Sequence, residues 1–236
     1  MHPEPSRREI VTSSLRLMRE LRQIHDREQI AAGLVIWVAP DILPFSAWLS
    51  RCWNDWLYSG TAARPAKLLQ PSQERAIWED IIGGSEEGRE LLQAAATAEA
   101  ALDAWNLMCG WRLSLDASEW DDSRDTEAFK KWAQEFGRRC ENRNWLSEGL
   151  LPEFVSGHID SGVISVPEHI VVAGFNELTP AQELVLESLR RKGCRVEMRG
   201  NSQAGASPAA VRIGLRDPEG EIRAAAQWAR RLLEKA

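Results

Sequence analysis

Two short stretches of this sequence stand where a nucleotide-handling protein would keep its chemistry. Thr12-Ser13-Ser14 ends the apolar run Arg8–Thr12, and Gly174-Phe175 follows Ile170-Val171-Val172-Ala173. Hydroxyls at the start of a helix can hold an anion against backbone N–H groups. A phosphate-binding turn also needs glycines and a lysine, as GxxxxGK[ST] or GxGxxG. Thr12, Ser13 and Ser14 supply neither, so helix capping is the plainer reading of these three residues. The end of the second run should carry an acidic residue for Mg²⁺ if the protein hydrolysed a nucleotide. Gly174 and Phe175 stand there instead, and Glu177 comes only later in the turn. The residues for hydrolysis are missing at both positions.

Other chemistries are no better supplied. A metal-dependent nuclease site of the PD-(D/E)xK kind ends in an acid-x-Lys triplet. None of the lysines (Lys67, Lys130, Lys131, Lys192, Lys235) has an acid two positions before it, although Pro40-Asp41 resembles a start. His2, His25, His158 and His169 have no metal-ligand spacing. Asp121, Asp122, Asp125 and Glu127 lack the glycine and final glutamate of a calcium loop, so they read as a solvated loop with helix caps. Cys52, Cys109, Cys140 and Cys194 are scattered without a CxxC and read as free thiols. No metal and no cofactor is implied.

The elements that would position these residues follow from periodicity. Arg8–Thr12 predicts a strand, and Ser14 caps a helix from Leu15 to about Ala32 with Leu15, Leu17, Met18, Leu21, Ile24 and Ile30 on its apolar side. Leu34–Ala39 (LVIWVA) predicts a second buried strand, followed by a helix over Phe45–Tyr58 carrying Trp48, Trp53 and Trp56. Residues 60–150 predict helices only: Ser72–Ile82, Glu86–Trp111 broken at Gly88 and Gly110, and Glu127–Asn142. Ser156–Gly162 reads as a loop. His169–Gly193 then predicts a strand and a helix with a capping box, Thr179 and Gln182 around Pro180. Cys194–Met198 predicts the returning strand, Gly200–Pro208 a polar connector, Ala210–Leu215 a short strand, and Asp217 onward a last helix. The expected fold is α/β, a parallel sheet formed by residues 1–59 and 151–236, with an all-helical insertion at 60–150.

Composition sets the remaining bounds. The 236 residues carry a net charge of −6, which argues against a free-standing duplex-DNA binder but leaves room for a local basic patch. No run is long and apolar enough to span a bilayer, and the first ten residues show no signal-peptide pattern, so no membrane and a cytoplasmic location are expected. The 11 tryptophans, beside 1 tyrosine and 5 phenylalanines, suit packed helices; stacking on exposed bases is their other use.

Four stretches taken in order, IWVAPDILPFSAWLSRCW (36–53), LLQPSQERAIWEDII (68–82), IVVAGFNELTPAQELVLESLRRKG (170–193) and DPEGEIRAAAQWARRLL (217–233), resemble the N-terminal part of the bacterial "probable DNA repair protein" family, relatives of the AddB/RexB subunit of helicase–nucleases. The segments AGFNELTPAQ and PDILPFSAWL are the specific ones. The resemblance implies a RecA/P-loop-like, superfamily 1 helicase-like core with a helical insertion, and a nuclease domain farther along the family's chains. It puts Thr12–Ser14 at the Walker A position, Gly174-Phe175 at the Walker B position, and Pro40, Asp41, Phe45 and Ser46, with Asn176 and Thr179, where such proteins touch DNA. Since the Walker residues are absent, it implies a catalytically silent core that contacts single-stranded DNA or a duplex end, or an AddA-like helicase–nuclease subunit. A protein-docking module built on exposed Trp48, Trp53 and Trp56 is the rival expectation. A small-molecule enzyme at the sheet edge would need a nucleophile, base or metal set that the chain does not show.

Overall fold

The computed structural model describes residues 8–60, 64–89, 94–117, 120, 123–200, 214 and 217–233. In chain order the elements are β1 (Arg8–Thr12), α1 (Leu15–Ala31), β2 (Ile42–Pro44), α2 (Phe45–Tyr58), β3 (Lys67–Leu68), α3 (Pro71–Gly84), α4 (Glu86–Arg89), α5 (Ala94–Trp111), α6 (Arg124–Arg143), β4 (Trp145–Leu146), a 3-10 turn at Glu148–Leu150, α7 (Leu151–Asp160), β5 (His169–Ala173), α8 (Pro180–Arg191), β6 (Arg195–Arg199) and α9 (Pro218–Leu233). Two compact units divide the chain, residues 1–201 and 202–236. In the second, α9 is described by itself. The strand expected over Ala210–Leu215 lies outside the described residues save for Gly214. Among the described residues no helix is long and apolar enough to cross a membrane.

The first unit is α/β, with one sheet of four parallel strands in the order β2-β1-β5-β6. From β1 the chain crosses one way to β2, and from β5 the other way to β6. Right-handed crossovers therefore put α1 and α8 on opposite faces. Val11, Ile170 and Val172 point to the face on which α2, α7 and α8 pack, through Trp48, Trp56, Val155, Ile159, Leu186 and Leu189. At the core of this layer α7 and α8 are joined by the buried Ser156–Ser188 hydroxyl pair at 2.6 Å. The helix starts follow the sequence: Ser14 caps α1, and Thr179 and Gln182 close a capping box on α8.

Three expectations need correction. Leu34–Ala39 is not a strand. Val35, Ile36 and Val38 are each about nine-tenths exposed, while Ile42, three residues beyond the run, is 2% exposed and pairs with Ile10. Polar anchors decide the register. Ile10 N–H donates to Asp41 O at 2.8 Å, Arg22 donates to Ile42 O at 2.8 Å, and Arg51 holds Asp41 beside Glu9. These place residues 42–44 on β1 and leave the β-branched run outside, where the Trp37 indole donates to Asp26. Ser156–Gly162 is not a loop but largely the end of α7. The spacing of Leu151, Val155 and Ile159, all buried, outweighs the serine and glycine punctuation. The insertion is not strand-free, because β3 and β4 form a two-stranded parallel ladder at its neck.

The insertion has its own apolar core: Trp78 stacks on Phe136 at 4.8 Å, and Trp105 and Trp132 are buried with them. Glu74 of α3, 1% exposed, ties this core to the returning chain. Its carboxylate accepts from the Glu148 N–H at 2.7 Å and is bonded by the Ser147 hydroxyl, and Ser147 in turn accepts from the Trp105 indole. Burial, the largest influence, raises the Glu74 carboxyl above its ordinary value against the lowering effect of these bonds. A raised folded-state pKa means folding favours the protonated form. The stability linked to Glu74 is therefore full in acid, below the ordinary glutamate range, and is lost as pH rises through its folded value. Glu74→Gln keeps an acceptor for Glu148 without burying charge. Thermal melts are expected to place it above wild type at neutral pH, with the two curves converging in acid. Glu74→Leu orphans the Glu148 N–H and is expected to cost about 1–3 kcal/mol at either pH.

The tie between β1 and α2 gives a second test. Glu9, 6% exposed, accepts from the Trp48 indole and from Arg51, both at 2.7 Å, and Arg51 also holds Asp41 at 2.7 Å. Arg51→Met leaves a carboxylate that is largely buried without its counter-charge. Urea denaturation is expected to show a loss of about 3 kcal/mol, at the low end of breaking a buried pair because Arg51 keeps some solvent contact.

Candidate functional site

An open parallel sheet offers a ligand crevice at the carboxyl ends of its strands, where the chain reverses its winding. Here that point lies between β1 and β5. A cleft of roughly 450 Å³ opens beside it. Ser13 comes from the β1 exit, Phe45 and Ser46 from the β2 exit, and Phe175 and Thr179 from the β5 exit. The far wall belongs to α5 and the 3-10 turn, through Asn106, Gly110, Glu148 and Gly149. Phe45 and Phe175 meet edge to face with centroids 6.1 Å apart. Glu148 is the charged group of the lining, and no lysine or arginine belongs to it.

The first wall is closely packed. The link from β1 to α1 is two residues long, Ser13 and Ser14. Ser13 N–H is taken by Ala173 O at 3.1 Å, and the Ser14 hydroxyl accepts from Leu17 N–H at 3.3 Å. Thr12 is fully buried, its hydroxyl donating to Ser14 O at 3.0 Å. The β5 exit closes the remaining space. Gly174 has φ +77°, and a Cβ there would lie 2.2 Å from Leu17 Cδ2 and 3.0 Å from Ser13 Oγ. Leu17 and Ser13 thus pack directly against the backbone of Gly174.

In comparisons with known proteins, no protein-family model and no curated protein matches the chain.

Of the residues expected to touch DNA, Phe45, Ser46 and Thr179 line the cleft. Pro40 and Asp41 do not join them: they precede β2, at the opposite end of that strand, and the Asp41 carboxylate is held by Arg51. Asn176 sits exposed in the turn after β5 and is not part of the lining. The sequence reading missed the insertion's share. Asn106 is a polar residue inside an otherwise apolar helix turn, which is a weak signal. Gly149 has a clear structural cause, since a Cβ there would meet Asn106 Oδ1 at 2.9 Å. Among the described residues no cluster of His, Cys, Asp and Glu could hold a metal. Burial pushes the Cys52, Cys109 and Cys140 thiols up to about 12, so none is an available thiolate nucleophile.

Gly174→Ala probes the close approach directly. An alanine pays the left-handed penalty of about 1–2 kcal/mol and must also displace Leu17. Chemical denaturation is expected to show a lowered midpoint with an unchanged slope.

Proposed function

We propose that this chain is the catalytically silent, helicase-like part of an AddB-like DNA repair protein, and that its switch-point cleft contacts the exposed bases of single-stranded DNA. The observation that carries this reading is the close packing where β1 and β5 end, the place at which the resemblance puts the Walker positions. The parallel sheet β2-β1-β5-β6 is compatible with a Rossmann-like core, and Leu17 and Ser13 crowd the Gly174 backbone at its switch point. What remains open is aromatic and polar, with Phe45, Phe175, Ser46, Thr179 and Asn106 around it and Glu148 as its one charged group. A flat group that stacks on an aromatic ring and offers hydrogen bonds suits that lining better than a charged nucleotide. The sequence resemblance to the AddB/RexB relatives supports the same reading and adds an AddA-like subunit as the expected partner.

The rival docking reading has lost its main surface, since Trp48 and Trp56 are 2% and 5% exposed and Trp53 is half-buried.

The test is a fluorescence-anisotropy titration with single-stranded DNA at low and at physiological salt. Wild type is expected to bind without ATP and to show no ATP hydrolysis. Phe175→Ala is expected to weaken binding by about 1–3 kcal/mol, the worth of one base–aromatic stack. No binding at either salt, or equal binding by Phe175→Ala, overturns the DNA-contact reading.

A further inference from the structure

The run Leu34–Ala39, displaced from the sheet, forms a fixed apolar surface beside α1. Gly33, with φ +79°, turns the chain at the end of that helix, and the run then returns along it. Three ties step back along α1 in order. Leu34 N–H donates to Gln29 O at 3.1 Å, the Trp37 indole to Asp26 at 2.8 Å, and Arg22 to Ile42 O at 2.8 Å. Trp37 thus faces the helix, while Ile36 and Val38 on either side of it turn outward, each almost nine-tenths exposed. Ile30, one turn beyond Asp26 on the same face of α1, lies beside the run and is also exposed. Among the described residues no backbone hydrogen bond joins Val35–Ala39 to a neighbouring strand.

A single exposed aliphatic side chain is ordinary, but a contiguous group of them marks a contact surface. Ile30, Leu34, Val35, Ile36 and Val38 together present roughly 400 Å² of aliphatic side chain. That is close to the apolar share of the roughly 800 Å² that one partner gives to a standard interface. The patch is also neutral, with no charged residue from Ile30 to Pro40. On a two-fold axis each residue meets its own copy, so any charge there would face a like charge. A patch without charge is therefore self-complementary. Because Trp37 and Arg22 already hold the run on α1, little ordering entropy is lost when a partner covers it.

We propose that Ile30 and Leu34–Val38 form an isologous interface with a second copy of this chain, centred on Ile36 and Val38. The run precedes β2, at the end of that strand away from the cleft, and the interface stands on observations independent of the cleft.

Sedimentation of the full chain between about 1 and about 100 μM tests the interface, and a dimer that dissociates in the micromolar range is expected, the weak end for interfaces of standard size. Ile36→Lys and Val38→Lys each bring two like charges together at the axis, and each is expected to raise Kd more than about tenfold. Both side chains are exposed, so the melting temperature of the dilute monomer is expected to stay unchanged. Proximity to the axis has its own readout. Val38→Cys is expected to give a covalent dimer on mild oxidation, because residue 38 meets its own copy. Tyr58→Cys, equally exposed on α2, is expected not to, and the four native cysteines are buried. A dimer that both lysine variants leave unchanged, or equal crosslinking by the two cysteine variants, overturns the proposal. So does a chain that stays monomeric at the upper concentration. If that monomer cosediments with vesicles of anionic phospholipid, the face belongs to a lipid surface instead.

Discussion

The Glu9 carboxylate is the constraint on which the sheet and its cleft depend. It sits on the central strand β1, almost wholly out of water, and a buried charge is tolerated only when opposite charge and donors surround it. Arg51 and Trp48, three residues apart on α2, supply them, so α2 can dock only in the rotation that turns both toward Glu9. Arg51 reaches on to Asp41, which precedes β2. One buried acid thereby sets the position of a helix and the register of an edge strand. The first residue of α2 is Phe45, so the same interaction also delivers an aromatic ring to the cleft.

The second constraint is the shortness of the β1–α1 link. Gly174, in a conformation that disfavours other residues, lets the β5 exit come against Ser13 and Leu17. Phe45 and Phe175 meet edge to face beside this contact and are the aromatic rings of the crevice.

Much of this was legible in the sequence where a local signal and the tertiary structure agree. The capping residues Ser14, Thr179 and Gln182 and the strand at His169–Ala173 carried such signals. One failure came where a long-range polar contact overrode a local pattern, and another, at Ser156–Gly162, where buried apolar spacing outweighed serine and glycine. Leu34–Ala39 has the composition of a buried strand, but the anchors at Asp41 and Ile42 give its place on β1 to a shorter segment. The expected apolar side of α1 suffers the same way: Met18 is its one residue classed as buried, and Leu15, Ile24 and Ile30 are exposed. Asn106 and Glu148 could not have been assigned to the cleft, because they reach it only through the way the insertion folds back, over a sequence distance that periodicity does not register.

The same folding back holds the far wall of the cleft in place. Its far wall is not a separate body hinged on a loose linker. Glu74 binds the backbone of Glu148, Ser147 joins that carboxylate to Trp105, and Asn106 is the next residue along α5. Gly149 packs against Asn106 and Cys109, and Gly110 lies against Thr179 at the start of α8. Polar bonds that are buried and satisfied on both sides rigidify the groups they join. The walls of the cleft therefore stand in place before a ligand arrives, so little ordering entropy is left to lose on binding. In such a site discrimination comes from the fit of the ligand to fixed aromatic and amide groups, and changes in that fit appear chiefly in the rate of dissociation.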